Sequence, residues 1–189
     1  MRITGGMIRG RRLANIKGSN IRPTSDMVRG SIFDILGQTL TGLKILDLFA
    51  GTGSLGIESL SRGGKVAVFI DKSSRAVATI KKNLALCGYE PLSMIIREEL
   101  PNGLAHIQDL GYGQFDLIFI DPPYGKGYIR PTIHQLIERD LSAKDCRIVV
   151  ESSTEANDPF PSKVHNLQLK LTRSYGSTLL GFYFNHEEQ

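Results

Sequence analysis

Two short stretches of the 189-residue chain carry residue types at spacings that chemistry can use. Residues 47–56 read Asp-Leu-Phe-Ala-Gly-Thr-Gly-Ser-Leu-Gly, so Gly51, Gly53 and Gly56 satisfy the dinucleotide-binding fingerprint, and Asp71 follows 20 residues after Gly51. An acid at the tip of a second strand can hold both hydroxyls of an adenosine ribose, which suits NAD and S-adenosylmethionine equally. Asp47 separates the two. It stands four residues before Gly51, near the carboxyl end of the first strand. A carboxylate there repels a pyrophosphate and attracts the cationic methionine end of S-adenosylmethionine. A turn with no ligand to hold would not need these three glycines and two flanking acids together.

The second stretch is Asp121-Pro122-Pro123-Tyr124, directly after the apolar run Phe115 to Ile120. Two consecutive prolines hold the backbone of Asp121 and Pro122 extended and remove two N–H donors, so the loop presents the Asp121 carboxylate and the Pro122 carbonyl as acceptors in a rigid frame. An exocyclic amine that donates its hydrogens to both has its nitrogen lone pair drawn out of conjugation with the ring and aimed at an electrophile. Tyr124 supplies an aromatic face on which the base can stack.

The elements that must position these residues follow from periodicity. Lys44 to Phe49, Val66 to Ile70, Ser93 to Ile96, Phe115 to Ile120 and Arg147 to Val150 read as short apolar strands. Helical stretches separate them: Leu55 to Arg62, Ser73 to Cys87, Pro101 to Asp109 and Pro131 to Asp140. Such alternation gives a parallel sheet covered by helices. Upstream, Thr24 is the predicted N-cap of an amphipathic helix that carries Val28, Ile32, Ile35 and Leu36 and ends near Gly37. Leu167 to Leu171 and Leu179 to Phe184 have a turn rather than a helix between them, which predicts a terminal antiparallel hairpin; Ser152 to Ser162 reads as a loop.

Composition bounds the class. With 41% hydrophobic and 22% charged residues the chain belongs with ordinary globular proteins, and its length is enough for one core without staples. Cys87 and Cys146 form no zinc spacing with the four histidines, so reduced, buried thiols and no metal are expected. Lys81-Lys82-Asn83 reads as a solvated helix face with Asn83 at most near the cofactor side, and the histidines as isolated. No apolar run approaches the ~20 residues of a membrane span, and the opening residues lack an apolar leader, which predicts a cytoplasmic protein. The net charge of +4 is unevenly placed: residues 1–30 hold seven basic residues (Arg2, Arg9, Arg11, Arg12, Lys17, Arg22, Arg29) against Asp26 alone. That leaves this arm at +6 and the remainder at −2. Arginines fork onto phosphate, and Gly5, Gly6 and Gly10 punctuate β-capable pieces, so a basic hairpin facing a polyanion is predicted for residues 1–22, ahead of a single catalytic domain over 23–189.

Taken together, Asp47-Leu48-Phe49-Ala50-Gly51-Thr52-Gly53, Asp121-Pro122-Pro123-Tyr124, Arg9-Gly10-Arg11, Arg22-Pro23-Thr24, Val28-Arg29, Ile32-Phe33 and Leu55-Gly56-Ile57-Glu58 resemble the RsmD family of bacterial 16S rRNA (guanine-N2)-methyltransferases, within the class I S-adenosylmethionine-dependent methyltransferases. The resemblance runs from about Arg2 through Glu151. It implies a Rossmann-like, mostly parallel seven-stranded α/β sheet with a reversed last strand, a preceding basic hairpin and helix, and 16S rRNA of an assembled or assembling small subunit as the substrate of a monomeric enzyme. It further implies cofactor contacts from Asp47, Phe49, Gly51, Gly53 and Asp71, catalytic roles for Asp121, Pro122 and Tyr124, and RNA contacts from Arg9, Arg11, Arg12, Arg22 and Pro123. For the adenine amine the candidate is Glu99, with Glu98 second, because Arg97-Glu98-Glu99-Leu100 lacks the family's Asp or Asn. Gly30, Asp34 and Asp71 replace the family's usual Glu, Asn and Glu.

The reaction this resemblance implies is in-line methyl transfer from S-adenosylmethionine to N2 of an unstacked guanine, driven mainly by positioning and without a metal. Three other readings compete with it. An adenine-N6 DNA methyltransferase fits the tetrapeptide equally but lacks room for a DNA-reading domain. Asp47 and the tetrapeptide disfavour an NAD-dependent oxidoreductase. A non-catalytic RNA-binding assembly factor has no need of Asp121-Pro122-Pro123-Tyr124.

Overall fold

The computed structural model of the chain describes residues 1–16, 25–156 and 160–185, apart from the side chains of 108 and 185, and divides into two compact units, Met1–Glu98 and Glu99–Gln189. In the first unit, α1 (Asp26–Leu36) precedes β1 (Lys44–Leu48), α2 (Ser54–Ser61), β2 (Val66–Ile70), α3 (Ser74–Cys87) and β3 (Ser93–Ile96). The three strands are parallel, in the order β3-β2-β1. β1 and β2 are apolar along nearly their whole length because both of their faces are buried, as crossover helices require. α3 starts where the Ser73 hydroxyl accepts the N–H of Ala76, ends at Gly88 in the left-handed region, and buries Ala76, Ile80, Asn83 and Leu84 on one stripe.

The helix before β1 forms as its apolar spacing predicts, but the cap is Ser25, whose hydroxyl accepts the Val28 N–H. The predicted cap, Thr24, lies outside the described residues. Of the predicted basic hairpin over residues 1–22, residues 17–22 lie outside the described residues; within residues 1–16, Arg2 and Arg12 form an antiparallel bridge, the Ile3 N–H donates to the Arg11 carbonyl at 3.0 Å, and the Gly10 N–H returns to the Ile3 carbonyl at 2.8 Å. Ile3 and Leu13 are buried, so the hairpin is part of the first unit's core rather than a free arm.

The second unit contains α4 (Leu104–Asp109), β4 (Phe115–Ile120), α5 (Ile129–Glu138), β5 (Ser142–Ser153), β6 (Lys163–Val164), β7 (Leu167–Tyr175) and β8 (Thr178–Asn185). β4 runs parallel to β5, β8 is antiparallel to β5, and β7 and β6 continue antiparallel in the order β4-β5-β8-β7-β6. The reversed last strand is therefore β8. Eight strands occur among the described residues where seven were predicted. The extra one, β6, is two residues long and too short to show a period. β5 also begins earlier than Arg147, because its first residues, Ser-Ala-Lys-Asp at 142–145, hold no large apolar side chain and hide the strand.

Cys146 is buried as expected, with its thiol pushed up to about 12 by burial and by the Asp116 charge, whereas Cys87 is only half-buried. The histidines are not all isolated: Nε2 of His165 lies 3.3 Å from Nδ1 of His134. Among the described residues no helix is long and apolar enough to cross a membrane, and no group of three metal-ligating side chains is found.

Candidate functional site

β1 delivers its carboxyl end into the glycine-rich turn, and the backbone there explains the residue types. Gly51 and Gly53 have φ of 55° and 75°, and Phe49, with a side chain, sits at 57°. That sparsely populated conformation costs of order 1–3 kcal/mol and persists only where surrounding bonds fix it. Here the Ala50 N–H donates to the Ile70 carbonyl at 3.0 Å and the Gly53 N–H to the Ala50 carbonyl at 2.7 Å. Gly56 is needed for closeness: a Cβ there would stand 2.3 Å from the Phe69 ring and 3.1 Å from Oδ2 of Asp47. α2 can therefore rest on β2, and the Gly56 N–H reaches Asp47 Oδ2 at 2.9 Å.

Asp71 closes the other side of the turn. Its Oδ2 accepts the Gly51 N–H at 2.9 Å and its Oδ1 the Ser73 N–H at 2.8 Å, so one half-buried carboxylate ties the turn to the end of β2 and the start of α3. Asp47, Phe49, Gly51, Gly53 and Asp71 are thus assembled around a single turn in the first unit. Asp47 differs from the open strand-end acid that spacing suggests, being 1% exposed and lying beneath the turn. Burial pushes its carboxyl up to about 7, the nearby Asp71 charge adds to that, and the Gly56 N–H opposes it. Glu98 is half-buried and Glu99 exposed, both beyond the end of β3.

In the second unit the tetrapeptide leaves β4 with Asp121 half-buried, Pro122 buried, and Pro123 and Tyr124 exposed. Strand pairing sets Ile120 opposite Val150, so Asp121 and Glu151 are the next residues of neighbouring strands. The Tyr124 hydroxyl donates to Oε1 of Glu151 at 2.9 Å. Burial, then the charges of Glu151 and Asp121, hold the phenol well above its ordinary range, so it remains a neutral donor. Glu151, only 4% exposed, is a functional candidate that the sequence reading left out, since an acid after the fifth strand could face the site or merely end the strand. The available signal was an acid directly after the apolar run Arg147 to Val150, as Asp121 directly follows Phe115 to Ile120.

Of the predicted RNA-contacting arginines, Arg9, Arg11 and Arg12 are exposed on the hairpin; Arg22 lies outside the described residues. Arg29, counted in the basic arm, does not belong to its surface. Its side chain is 0% exposed, with Nε 2.7 Å from Glu58 and Nη2 2.8 Å from Asp26. Glu58 also accepts from Arg62 at 2.8 Å and from the backbone N–H and hydroxyl of Thr4. Arg62 in turn lies over the Phe33 ring, 4.5 Å from its centroid. This buried network joins the hairpin, α1 and α2. A second join corrects the reading of Lys81-Lys82-Asn83: Asn83 is fully buried, accepts the Ala14 N–H at 2.7 Å, and donates to the carbonyls of Ala14 and Thr52.

Comparison with known proteins gives a family. A family model described as conserved hypothetical protein 95 matches residues 1–184. YlbH of Bacillus subtilis is 34% identical over 183 residues, covering 97% of this chain and 98% of its own. Ribosomal RNA small subunit methyltransferase D of Escherichia coli is 32% identical over 159 residues, covering 84% and 78%. The solved structure of yhhF from Escherichia coli superposes with a TM-score of 0.81 at 28% identity, covering 100% of this chain and 99% of that one. The fold is that of the Rossmann-like methyltransferases. The chain belongs to the conserved hypothetical protein 95 family, which is the RsmD family of rRNA methyltransferases.

Proposed function

We propose that the protein transfers a methyl group from S-adenosylmethionine to the exocyclic N2 of a guanine in 16S rRNA, within an assembled or assembling small ribosomal subunit, acting in the cytoplasm as a monomer. The observation that carries this reading is the tetrapeptide: a rigid double-acceptor loop whose aromatic residue is anchored through its hydroxyl to buried Glu151.

A cationic cofactor fits the first unit on physical grounds. Asp47 is a buried carboxylate with a raised proton affinity and a second acid nearby, a combination that a positive charge relieves. Asp71 spends one lone pair of each oxygen on a backbone N–H, which leaves acceptor capacity for a ribose diol. Phe49, Gly51 and Gly53 shape the turn that receives the cofactor, and Glu99, or Glu98, accepts from its adenine amine. When bound, S-adenosylmethionine supplies an electrophilic methyl group on a sulfonium.

The chain's own residues do the rest. Asp121 and the Pro122 carbonyl accept the two hydrogens of the guanine amine and fix its lone pair along one direction. Tyr124 stacks on the unstacked base, and Pro123 borders it. Once nitrogen has formed its new bond, the surplus proton leaves through Asp121 to water. Arg9, Arg11 and Arg12, with Arg22, hold phosphates, which favours encounter and register without specifying the base.

Tritiated S-adenosylmethionine, incubated with small-subunit particles from a strain lacking the gene and followed by digestion to nucleosides, tests the proposal. The expected product is N2-methylguanosine from 16S rRNA. Label in any other nucleoside would overturn the guanine-N2 assignment, and no incorporation at all would overturn the enzymatic one.

A further inference from the structure

We propose that the groove between residues 14–16 and the outward stripe of α3 is a second contact surface for the substrate, taking the phosphate backbone of single-stranded RNA and continuing the arginine face of the hairpin. This rests on the RNA-methyltransferase reading above and adds where the strand runs.

The groove, about 570 Å³ in volume, is lined by Ala14, Asn15 and Ile16 and by Arg75, Ala78, Thr79 and Lys82 of α3. α3 turns Ala76, Ile80, Asn83 and Leu84 into the core, which leaves Arg75 and Lys82 exposed on the opposite stripe. These two cations are seven residues apart, about 10 Å along a helix at 1.5 Å per residue, so they address two phosphates rather than one.

Charge identifies the occupant. Residues 1–16 contain Arg2, Arg9, Arg11 and Arg12, and α3 contains Arg75, Lys81 and Lys82; neither segment contains an acid. The rest of the chain then holds 16 basic against 19 acidic residues. A polyanion attracted to this protein is therefore drawn to the surface these two segments form. They are physically continuous. Asn83 bonds both polar groups of the Ala14 backbone, which pins the groove's first wall to α3. Arg11 lies close enough to the far end of α3 to act on the Cys87 thiol, drawing it down against the larger upward push of burial.

Direction follows from the same bonds. Asn83 also donates to the Thr52 carbonyl in the glycine-rich turn, and the first residues of α3 are tied to Asp71 through Ser73. A strand laid from Arg11 along Lys82 to Arg75 thus passes from the hairpin toward the turn that receives the cofactor. Among the described residues the lining holds no aromatic side chain on which a base could stack, which argues for backbone contact rather than base readout.

The test compares three full-length proteins binding to small-subunit particles from a strain lacking the gene, across a salt series: wild type, Arg75→Ala/Lys82→Ala, and a control of equal charge change, Lys163→Ala/Lys170→Ala, on β6 and β7. The groove variant is expected to show a log–log salt slope shallower by about 1.4, from two contacts at about 0.7 each, with the affinity for S-adenosylhomocysteine unchanged within about twofold. The control is expected to keep the wild-type slope. An unchanged slope in the groove variant, or an equal loss in the control, would overturn the proposal. A lowered thermal midpoint with an unchanged slope would instead assign the groove to the chain's own neighbouring segment. Wild-type protein that neither binds nor methylates the particles would overturn the underlying reading as well, whereas normal methylation and binding by the groove variant would overturn the groove alone.

Discussion

Asp47 is a carboxylate placed where solvent cannot help it, and its titration is the most direct consequence. Its folded-state value of about 7 lies above the ordinary 3.8, so between about pH 4 and pH 7 the folded chain keeps a proton that the unfolded chain has released. Stability of the cofactor-free protein should therefore fall as pH rises through that window and level off above it. Cofactor affinity should run the opposite way, rising toward pH 7 as the carboxylate that attracts the cation ionises. Asp47→Asn, which keeps an acceptor for the Gly56 N–H, should flatten both dependences and weaken binding; urea melts and calorimetry from pH 5 to 8 measure them. Tyr124 gives a second expectation. In Glu151→Leu the ring loses its anchor, and KM should rise while S-adenosylhomocysteine binding is retained; Glu151→Gln, which can still accept, should recover most of the loss. A KM unchanged in Glu151→Leu would mean that the hydrogen bond does not position the ring. At this scale the gathering of the glycines and Asp71 at one turn, and the place of the tetrapeptide at the end of β4, were legible because each is announced by a short local pattern. Arg29 and Asn83 were not: a charge or amide count does not register burial, and their partners Glu58, Ala14 and Thr52 are between 29 and 69 residues away.

Between elements, the hairpin is held by the buried Arg29–Glu58–Arg62 network and by its glycines. Gly6, at φ 76°, passes so close to Ser61 that a Cβ would stand 2.0 Å from the Ser61 carbonyl oxygen, and the Met7 N–H donates to that same oxygen at 2.7 Å. Glu58→Ala would leave two arginines facing a missing counter-charge. Breaking a buried pair in this way costs about 3–5 kcal/mol, so urea unfolding should show a loss of that order. Release of the hairpin should expose Arg9, Arg11 and Arg12 to faster tryptic cleavage than in wild type. A loss under about 1 kcal/mol, with unchanged cleavage, would mean that the network is dispensable. The alternation of strands and helices was readable because parallel strands buried on both faces are continuous apolar runs, as in Val66–Ile70. The start of β5 and all of β6 escaped because a stretch without large apolar side chains and a two-residue length carry no period. The cap of α1 fell one residue late, at Ser25, since adjacent Thr24 and Ser25 are both good caps.

On the proposed reading, attraction for the cofactor falls to residues of one unit and orientation of the nucleophile to residues of the other. The molecule's excess of positive charge is gathered on the hairpin and α3. Replacing Arg9, Arg11 and Arg12 together by Ala should make the salt slope of particle binding shallower by about 2, from three contacts at about 0.7 each, while cofactor affinity stays as it was. Equal slopes would reduce the hairpin to a structural ribbon. The division of labour between cofactor and nucleophile is tested most directly by one variant measured in two ways. Asp121→Ala, titrated with S-adenosylhomocysteine and assayed for single-turnover methyl transfer to small-subunit particles, should bind the cofactor product within about twofold of wild type and transfer methyl at least about a hundredfold more slowly. Near-normal transfer by Asp121→Ala, or a loss of cofactor affinity as large as the loss of rate, would contradict the assignment of the tetrapeptide as the group that orients the amine.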